Sequence, residues 1–465
     1  MGYIAGTERG QVLLLPDRVE DYVATDAPVR VIDAFVDSLD MIELGFGRSV
    51  PASTGRPCYS PRDLLKLYIY GYFNEVRSSR RLERECRRNI ETMWLMRQLA
   101  PDFKTIADFR RNNGPSIVGA CRAFVLLCRD TGLFNARTVA IDGSKFRAVA
   151  SPKKVLNHQQ IDHERYQLDR EIADYLSGLD VADKSEPADA DDAVANAVAA
   201  LGERKAELDR LAKRLEEEKR ATVVSGEDDA RLMGIGKSRK LPAYNVQTVV
   251  DVETGFIVHH EVTDEPTDNR MLFPMAKAAR EVLEIEELTV LADAGYSSGE
   301  HATACEGEGI VACAPAKRTV NNMGDGTFFD RTLFSYNSQE DCFSCPGGKI
   351  LKRRRSDDTT RSVAYIAKAR DCAACLLKSK CTNVARRSVK RHFDEDALNR
   401  MNARATPEMM RKRRCSVEHP FGTIKRMTAG GRFLTRNLPA TRTEMALSIL
   451  AFNIMRATNM RARTR

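Results

Sequence analysis

Val139-Ala140-Ile141-Asp142-Gly143-Ser144-Lys145 decides how the middle of this chain is read. Three apolar residues run into a carboxylate that is followed at once by glycine, the pattern of a buried strand closing in a turn. That places Asp142 at a strand's C-terminal tip. Val290-Leu291-Ala292-Asp293-Ala294-Gly295-Tyr296 repeats the design much later in the chain. An aspartate after a strand is most often a turn or a helix cap, so each one alone says little. A third acidic motif, Val417-Glu418-His419-Pro420-Phe421-Gly422, has basic residues on both sides.

The segments between these motifs supply the rest of a sheet. Tyr244 to Asp251 reads as a strand, Glu253-Thr254-Gly255 as a tight turn, and Phe256 to His260 as the returning strand of a hairpin. Residues 271–286 have helical spacing, Leu288 to Ala292 delivers Asp293, and Ile310 to Cys313 is a further strand. Between Asp142 and the hairpin lies a long polar interruption. Ile161, Leu168, Ile172, Tyr175 and Leu179 fall at helical spacing, and Val194, Leu201, Leu208 and Leu215 repeat every seven residues. Two helices joined through the Asp/Ala-rich segment 180–192 form an antiparallel hairpin, a structural insertion or dimer contact rather than a chemical site.

Residues 1–135 read as helical. Ser60-Pro61 caps and opens a helix carrying Leu64, Leu65, Leu67, Tyr68 and Tyr72. A second helix from Ser79 presents Arg80, Arg81, Arg84, Arg87 and Arg88 around an inward Leu82 and Cys86. Those arginines suit a DNA-facing surface and equally the solvated side of a helix.

At 465 residues the chain has length for several domains of the usual ~100–200 residues. Its formal charge of +8 conceals a segregation. Asp180 to Glu218 is acidic, whereas the C-terminal third carries Lys352-Arg353-Arg354-Arg355, Arg386-Arg387, Lys390-Arg391, Arg411-Lys412-Arg413-Arg414 and Lys425-Arg426. Several basic clusters around an acidic motif point to phosphate contact and hence to nucleic acid. No stretch approaches the ~20 apolar residues of a membrane span, and Met1 to Leu15 has Glu8 and Arg9 before only a short apolar run. The expectation is a soluble, unexported protein.

The order Asp142, Asp293, Glu418 resembles that of the DDE transposases of bacterial insertion sequences, whose catalytic core is an RNase H-like α/β fold. Tyr59-Ser60-Pro61-Arg62-Asp63-Leu64-Leu65 and Phe103-Lys104-Thr105-Ile106-Ala107-Asp108-Phe109-Arg110-Arg111 are similar to the helical N-terminal domain of that group, which is associated with binding element ends. The resemblance implies a DNA-binding domain over 1–135 and a catalytic domain over 136–465, with a helical insertion at 151–240 and a Cys-rich one at 325–395. It makes Asp142, Asp293 and Glu418 ligands of two Mg²⁺ or Mn²⁺ ions. Two ions ~3.5–4 Å apart suit phosphodiester chemistry because one activates the attacking oxygen and the other steadies the leaving one.

Related transposases carry Tyr, Arg, Glu and Lys at fixed intervals, and this chain has the last three as Arg414, Glu418 and Lys425; Arg411 stands at the Tyr position. Arg414 and Lys425 are then phosphate clamps, and Arg80, Arg81 and Arg84 gain weight as DNA contacts. Pro420 should kink that helix or mark its first turn. Asp251 and Asp264 read as turn or strand-end residues, and His419 as a packing or DNA contact. The family also implies double-stranded DNA as partner, at least a dimer on it, and a cytoplasmic, nucleoid-associated setting. A nuclease without strand transfer and a DNA-binding regulator of transposase descent are the other readings.

Twelve cysteines in such a chain are buried thiols or metal ligands rather than disulfides. Cys342-x-x-Cys345 and Cys372-x-x-Cys375, with Cys381 beyond, have the form of paired knuckles around one tetrahedral Zn²⁺. Four of the five would bind, and spacing leaves open which four.

Overall fold

The structure is a computed structural model that describes residues 18–51, 53–54, 57–182, 191–235, 239–316 and 328–463. The opening run to Leu15 and residues 183–190 of the Asp/Ala-rich joint lie outside them. Helices α1 (Pro28–Ser38), α2 (Pro61–Phe73), α3 (Ser79–Arg88), α4 (Ile90–Leu95), α5 (Phe103–Asn112) and α6 (Gly114–Asp130) come first. α2 begins where its cap dictates: the Ser60 hydroxyl accepts from the Arg62 N–H at 3.2 Å, with Pro61 in the first turn. It is buried almost all round, as a central helix must be. Its cover includes α1 and the C-terminal helix Leu438–Arg463. The helical N-terminal region and the sheet therefore share one hydrophobic core.

β1 (Thr138–Arg147) lies at the centre of the sheet. After it the chain forms the small ladder of β2 (Val155–Leu156) with β3 (Val223–Val224), flanking α7 (His158–Ala182) and α8 (Asp191–Glu217). This insertion has its own core of Leu156, Ile161, Leu208, Leu211, Leu215 and Val223, so the later half of the seven-residue repeat faces inward. β4 (Arg231–Ile235), β5 (Arg239–Asp251) and β6 (Ile257–Thr263) return to the main sheet, followed by α9 (Leu272–Leu283), β7 (Leu288–Leu291), α10 (Gly299–Gly307) and β8 (Ile310–Cys313).

β5 runs antiparallel to β1, β7 parallel to β1, and β8 parallel to β7, while β4 and β6 both pair with the far edge of β5. The path β6-β5-β1-β7-β8, with one antiparallel side and one parallel side, is the RNase H-like mixed sheet that the sequence leads one to expect.

A second sheet, all antiparallel, holds β9 (Ser335–Asn337), β10 (Cys342–Ser344), β11 (Ile350–Asp357), β12 (Ser362–Ile366) and β13 (Ser388–His392), with α11 (Ala369–Ala373) before the last strand. Phe334, Phe343, Leu351, Val363, Tyr365 and Val389 form its separate core. Lys352, Arg353, Arg354 and Arg355 on β11 are all exposed. α12 (Glu395–Arg404), α13 (Pro407–Met427) and α14 (Leu438–Arg463) complete the chain. Among the described residues no helix is long and apolar enough to cross a membrane.

Two expectations need correction. Asp142 is not at the end of its strand, because β1 continues to Arg147 along the long partner β5. It stands instead just beyond the last β1–β7 pair, Ala140 with Leu291, where β7 leaves the sheet. Pro420 does not mark the first turn of α13. The helix runs unbroken from Pro407 to Met427 with Pro420 buried in its interior, although the proline has no N–H for the Ser416 carbonyl.

Candidate active site

Strand alternation sets the direction of Asp142. It shares a face of β1 with Phe146, which packs against Phe421 of α13 at a ring separation of 6.4 Å. The Asp142 carboxylate is therefore carried beneath that helix. Asp293 arrives from β7, two residues past its end, and caps the following turn by accepting from the Gly295 N–H at 2.7 Å. The sequence sign of a turn cap is thus real, and it leaves the other carboxylate oxygen free of that duty.

One cation joins the two acids. Arg413 Nη2 donates to Asp142 Oδ1 at 2.6 Å and to Asp293 Oδ2 at 3.3 Å, and it lies 3.4 Å from the Ile141 carbonyl oxygen. Only 11% of the Arg413 side chain is exposed, and its Nε is buried with no hydrogen-bond partner. Burial pushes the Asp142 carboxyl above its ordinary pKa; Arg413 opposes that rise, and Asp293 and Asp268 add to it. A cluster of like charges in a partly dry site has this effect unless a cation compensates.

Beside the pair lies a network that the motifs did not disclose. Asp268 Oδ1 accepts from Gln247 Nε2 at 2.7 Å, Asn245 Nδ2 at 2.8 Å and Lys145 Nζ at 3.2 Å. The Tyr296 hydroxyl donates in turn to Gln247 Oε1. Gln247 is the cross-strand partner of Gly143, and its carboxamide passes over the glycine. A Cβ at position 143 would come within 2.8 Å of Asp268 Oδ1 and closer still to Gln247 Nε2. Glycine after Asp142 is required by that approach, and not by a turn, since β1 runs on through it.

The last third of the candidate set is arranged differently. Val417, Pro420, Phe421 and Ile424 form the buried stripe of α13, and Arg413 heads it, four residues before Val417. Arg414 and Glu418 lie on the exposed shoulder, and neither makes an ion pair among the described residues. Lys425 is half-buried over the Phe146 ring, 5.7 Å from its centre. Burial lowers its pKa, and the charge of Asp142 works against that.

Among the described residues no three His, Cys, Asp or Glu side chains are set closely enough to share an ion. Asp142 and Asp293 are brought together; Glu418 is not beside them. The residue that does join them, Arg413, is the neighbour of the Arg414 singled out by spacing. Its signal was a charge on an otherwise apolar helical stripe. Asp268, between β6 and α9, carried no such signal.

Arg80, Arg81 and Arg84 are exposed on α3, with Arg80 stacked 4.5 Å from the Phe103 ring centre. Arg87 and Arg88 pair instead with Glu83 and Glu85 of their own helix. Asp251 closes the hairpin turn by accepting from the Thr254 N–H at 2.8 Å, and Asp264 pairs with Arg220 and Arg231. His419 lines a cleft between α13 and α14, its ring 6.4 Å from that of Phe452.

All five clustered cysteines are free thiols. Cys345, Cys372, Cys375 and Cys381 line one small cavity, and Cys345 Sγ accepts from the Lys349 N–H at 3.3 Å. Cys342 points elsewhere. It is two residues from Ser344 on the opposite face of β10 from Phe343, and its sulfur meets Glu340 Oε2 at 3.7 Å.

Comparison with known proteins adds the following. A family model described as Transposase DDE domain matches residues 217–454, just over half of the chain, and takes in Asp293 and Glu418 but begins after Asp142. A second, Transposase domain (DUF772), matches residues 17–112. A comparison with curated proteins found no match. Among solved structures, the piggyBac transposase synaptic complex with hairpin DNA aligns at 10% identity and a TM-score of 0.35, over 94% of this chain and 76% of that one.

Proposed function

The chain belongs to the transposase DDE-domain family and is an enzyme of metal-dependent DNA cleavage and transposition; on that premise we propose that it binds the terminal inverted repeats of its own element, hydrolyses the phosphodiester at each end to free a 3′-hydroxyl, and directs that hydroxyl at target DNA. The observation that carries this reading is the convergence of Asp142 and Asp293 on a single cationic nitrogen, at 2.6 and 3.3 Å. Carboxylate oxygens are the donors that Mg²⁺ and Mn²⁺ prefer, so the pair fits a divalent ion. When bound, two such ions would neutralise the charge of the pentavalent phosphate and activate the attacking oxygen.

The protein's own groups do the positioning. Asp142 and Asp293 are the fixed ligands, each held to the sheet by a short side chain. Glu418 is the third, reaching in from the shoulder of α13 once DNA is seated. Arg414 and Lys425 flank it on the same side of that helix and take phosphate oxygens of the scissile strand. The part-buried network of Asp268, Gln247, Asn245 and Lys145 fixes the floor beneath Asp142. Arg80, Arg81 and Arg84, exposed on α3, contact the element end. Two ends must be held for joining, so the working form is a dimer or larger on DNA, in the cytoplasm at the nucleoid.

The Cys-rich sheet is assigned a structural Zn²⁺ that would be held by Cys345, Cys372, Cys375 and Cys381, with Cys342 left out; the four line one cavity but do not stand at ligand distance from a common point, so the ion would have to draw them together. Support comes from the shared cavity and from the Lys349 N–H directed at the Cys345 sulfur. Such a site would stabilise the sheet that displays Lys352 to Arg355.

The test is to incubate purified protein with Mg²⁺ and a plasmid carrying the gene's own flanking DNA, mapping breaks and joined products beside Asp293→Asn. Breaks at the ends and joined DNA, both absent from the variant, are expected. Breaks without joining would favour the nuclease reading, and tight binding without metal-dependent breaks the regulator.

A further inference from the structure

We infer that Arg413 is a resident counter-ion of the acidic pair, a positioning residue whose guanidinium occupies the place shared by Asp142 and Asp293 until a divalent cation displaces it. The inference deepens the proposed function and rests on its assignment of these two acids as metal ligands. No motif assigns Arg413, since the spacing of the family pattern falls on Arg414.

The geometry is unusual for an arginine-carboxylate contact. The favoured arrangement is a fork, with two N–H groups on the two oxygens of one acid. Here a single nitrogen, Nη2, meets three acceptors: Asp142 Oδ1 at 2.6 Å, Asp293 Oδ2 at 3.3 Å and the Ile141 carbonyl at 3.4 Å. An NH₂ group has only two hydrogens, so at least one of these contacts is unmet or shared. Nε of the same group is buried without a partner. The guanidinium is therefore placed for the point between the two carboxylates at the expense of its own hydrogen bonding. It acts there as a point charge.

That point needs a cation. Asp142 and Asp293 come from different strands and face one another across the edge where β7 leaves β1. Without a counter-charge the two carboxylates would repel one another across this partly buried gap. Arg413 offsets that repulsion and keeps the two acids in register, and its position at the head of the buried stripe of α13 holds it in place. A divalent ion bound to both carboxylates has to take the room of Nη2, so guanidinium and metal compete.

The experiment measures Mn²⁺ binding by the full chain without DNA, by electron paramagnetic resonance of free Mn²⁺ at pH 8. Arg413→Gln should bind Mn²⁺ roughly tenfold more tightly than wild type, the effect of removing one close competing charge. Arg413→Lys, which keeps the charge, should stay near wild type. Thermal unfolding gives a second readout: the Gln variant should melt lower than wild type in chelator and recover most of the difference in Mn²⁺.

If the Gln variant binds Mn²⁺ no more tightly than wild type while Asp293→Asn loses binding, the counter-ion assignment is wrong and the metal assignment stands. Equal tightening in the Gln and Lys variants also overturns it. If Asp293→Asn binds as well as wild type, it is the metal-ligand assignment that fails, and this inference goes with it.

Discussion

Replacing Glu444 by glutamine should cost this protein a large part of its stability. Glu444 on α14 is fully buried, and its partner Arg77, in the linker between α2 and α3, is 7% exposed; Arg77 Nη1 meets Glu444 Oε1 at 3.0 Å. The other carboxylate contacts are all donors as well. The Leu434 N–H lies 3.1 Å from Oε1 and 2.9 Å from Oε2, and Oε2 also accepts from the Thr435 N–H at 2.9 Å and the Thr435 hydroxyl at 2.7 Å. Whichever side of a glutamine carries the NH₂ group must therefore face a donor. The change is nearly isosteric, so the loss is of charge and acceptors, not of volume.

Removing one partner of a buried ion pair costs about 3–5 kcal/mol, and each buried donor left unmet about 1–3 kcal/mol. Relaxation will keep these from adding in full, and we expect about 4 kcal/mol, against the ~5–15 kcal/mol that holds a typical protein folded. Urea unfolding of wild type and Glu444→Gln, followed by circular dichroism and compared at equal slope, measures it. A loss below about 1 kcal/mol would refute the reasoning that the Glu444 charge is needed to satisfy Arg77 and the donors at Leu434 and Thr435.

Gly143→Ala should lower stability by about 1–3 kcal/mol through overpacking against Gln247 and Asp268, and an unchanged melting temperature would contradict the close approach described here. Burial holds the His259 imidazole down to about 4 and that of His260 to about 3, so the unfolded chain binds more protons than the native one below the ordinary value of 6.5. Stability from these groups is complete above that value and is lost as pH falls from it towards 4, on the order of 2 kcal/mol for each between pH 7 and 5. His260→Asn should flatten this acid limb in urea unfolding; an identical limb would count against it. Elemental analysis of purified protein should find one zinc per chain, lost in Cys375→Ser and retained in Cys342→Ser, and the reverse pattern would reassign the ligands.

Local chemistry made much of this protein legible in the sequence. The Ser60-Pro61 helix start, the hairpin turn at Glu253-Thr254-Gly255 and the strands before Asp142 and Asp293 depend on neighbours in the chain, and each formed where its residues required. Periodicity likewise fixed the inward side of α13, since Val417, Phe421 and Ile424 lie along one stripe whatever that stripe packs against. Tertiary structure alone decided what long-range partners decide. The length of β5 carried β1 past Asp142, packing accommodated Pro420 inside an unbroken helix, and Arg413 rather than Arg414 was turned towards the two acids. Asp268 and Gln247 became the floor of the site, and Glu444 found Arg77 far along the chain. Contacts between such distant residues leave no periodic trace, because spacing records which way a side chain leaves its own element and not what awaits it there.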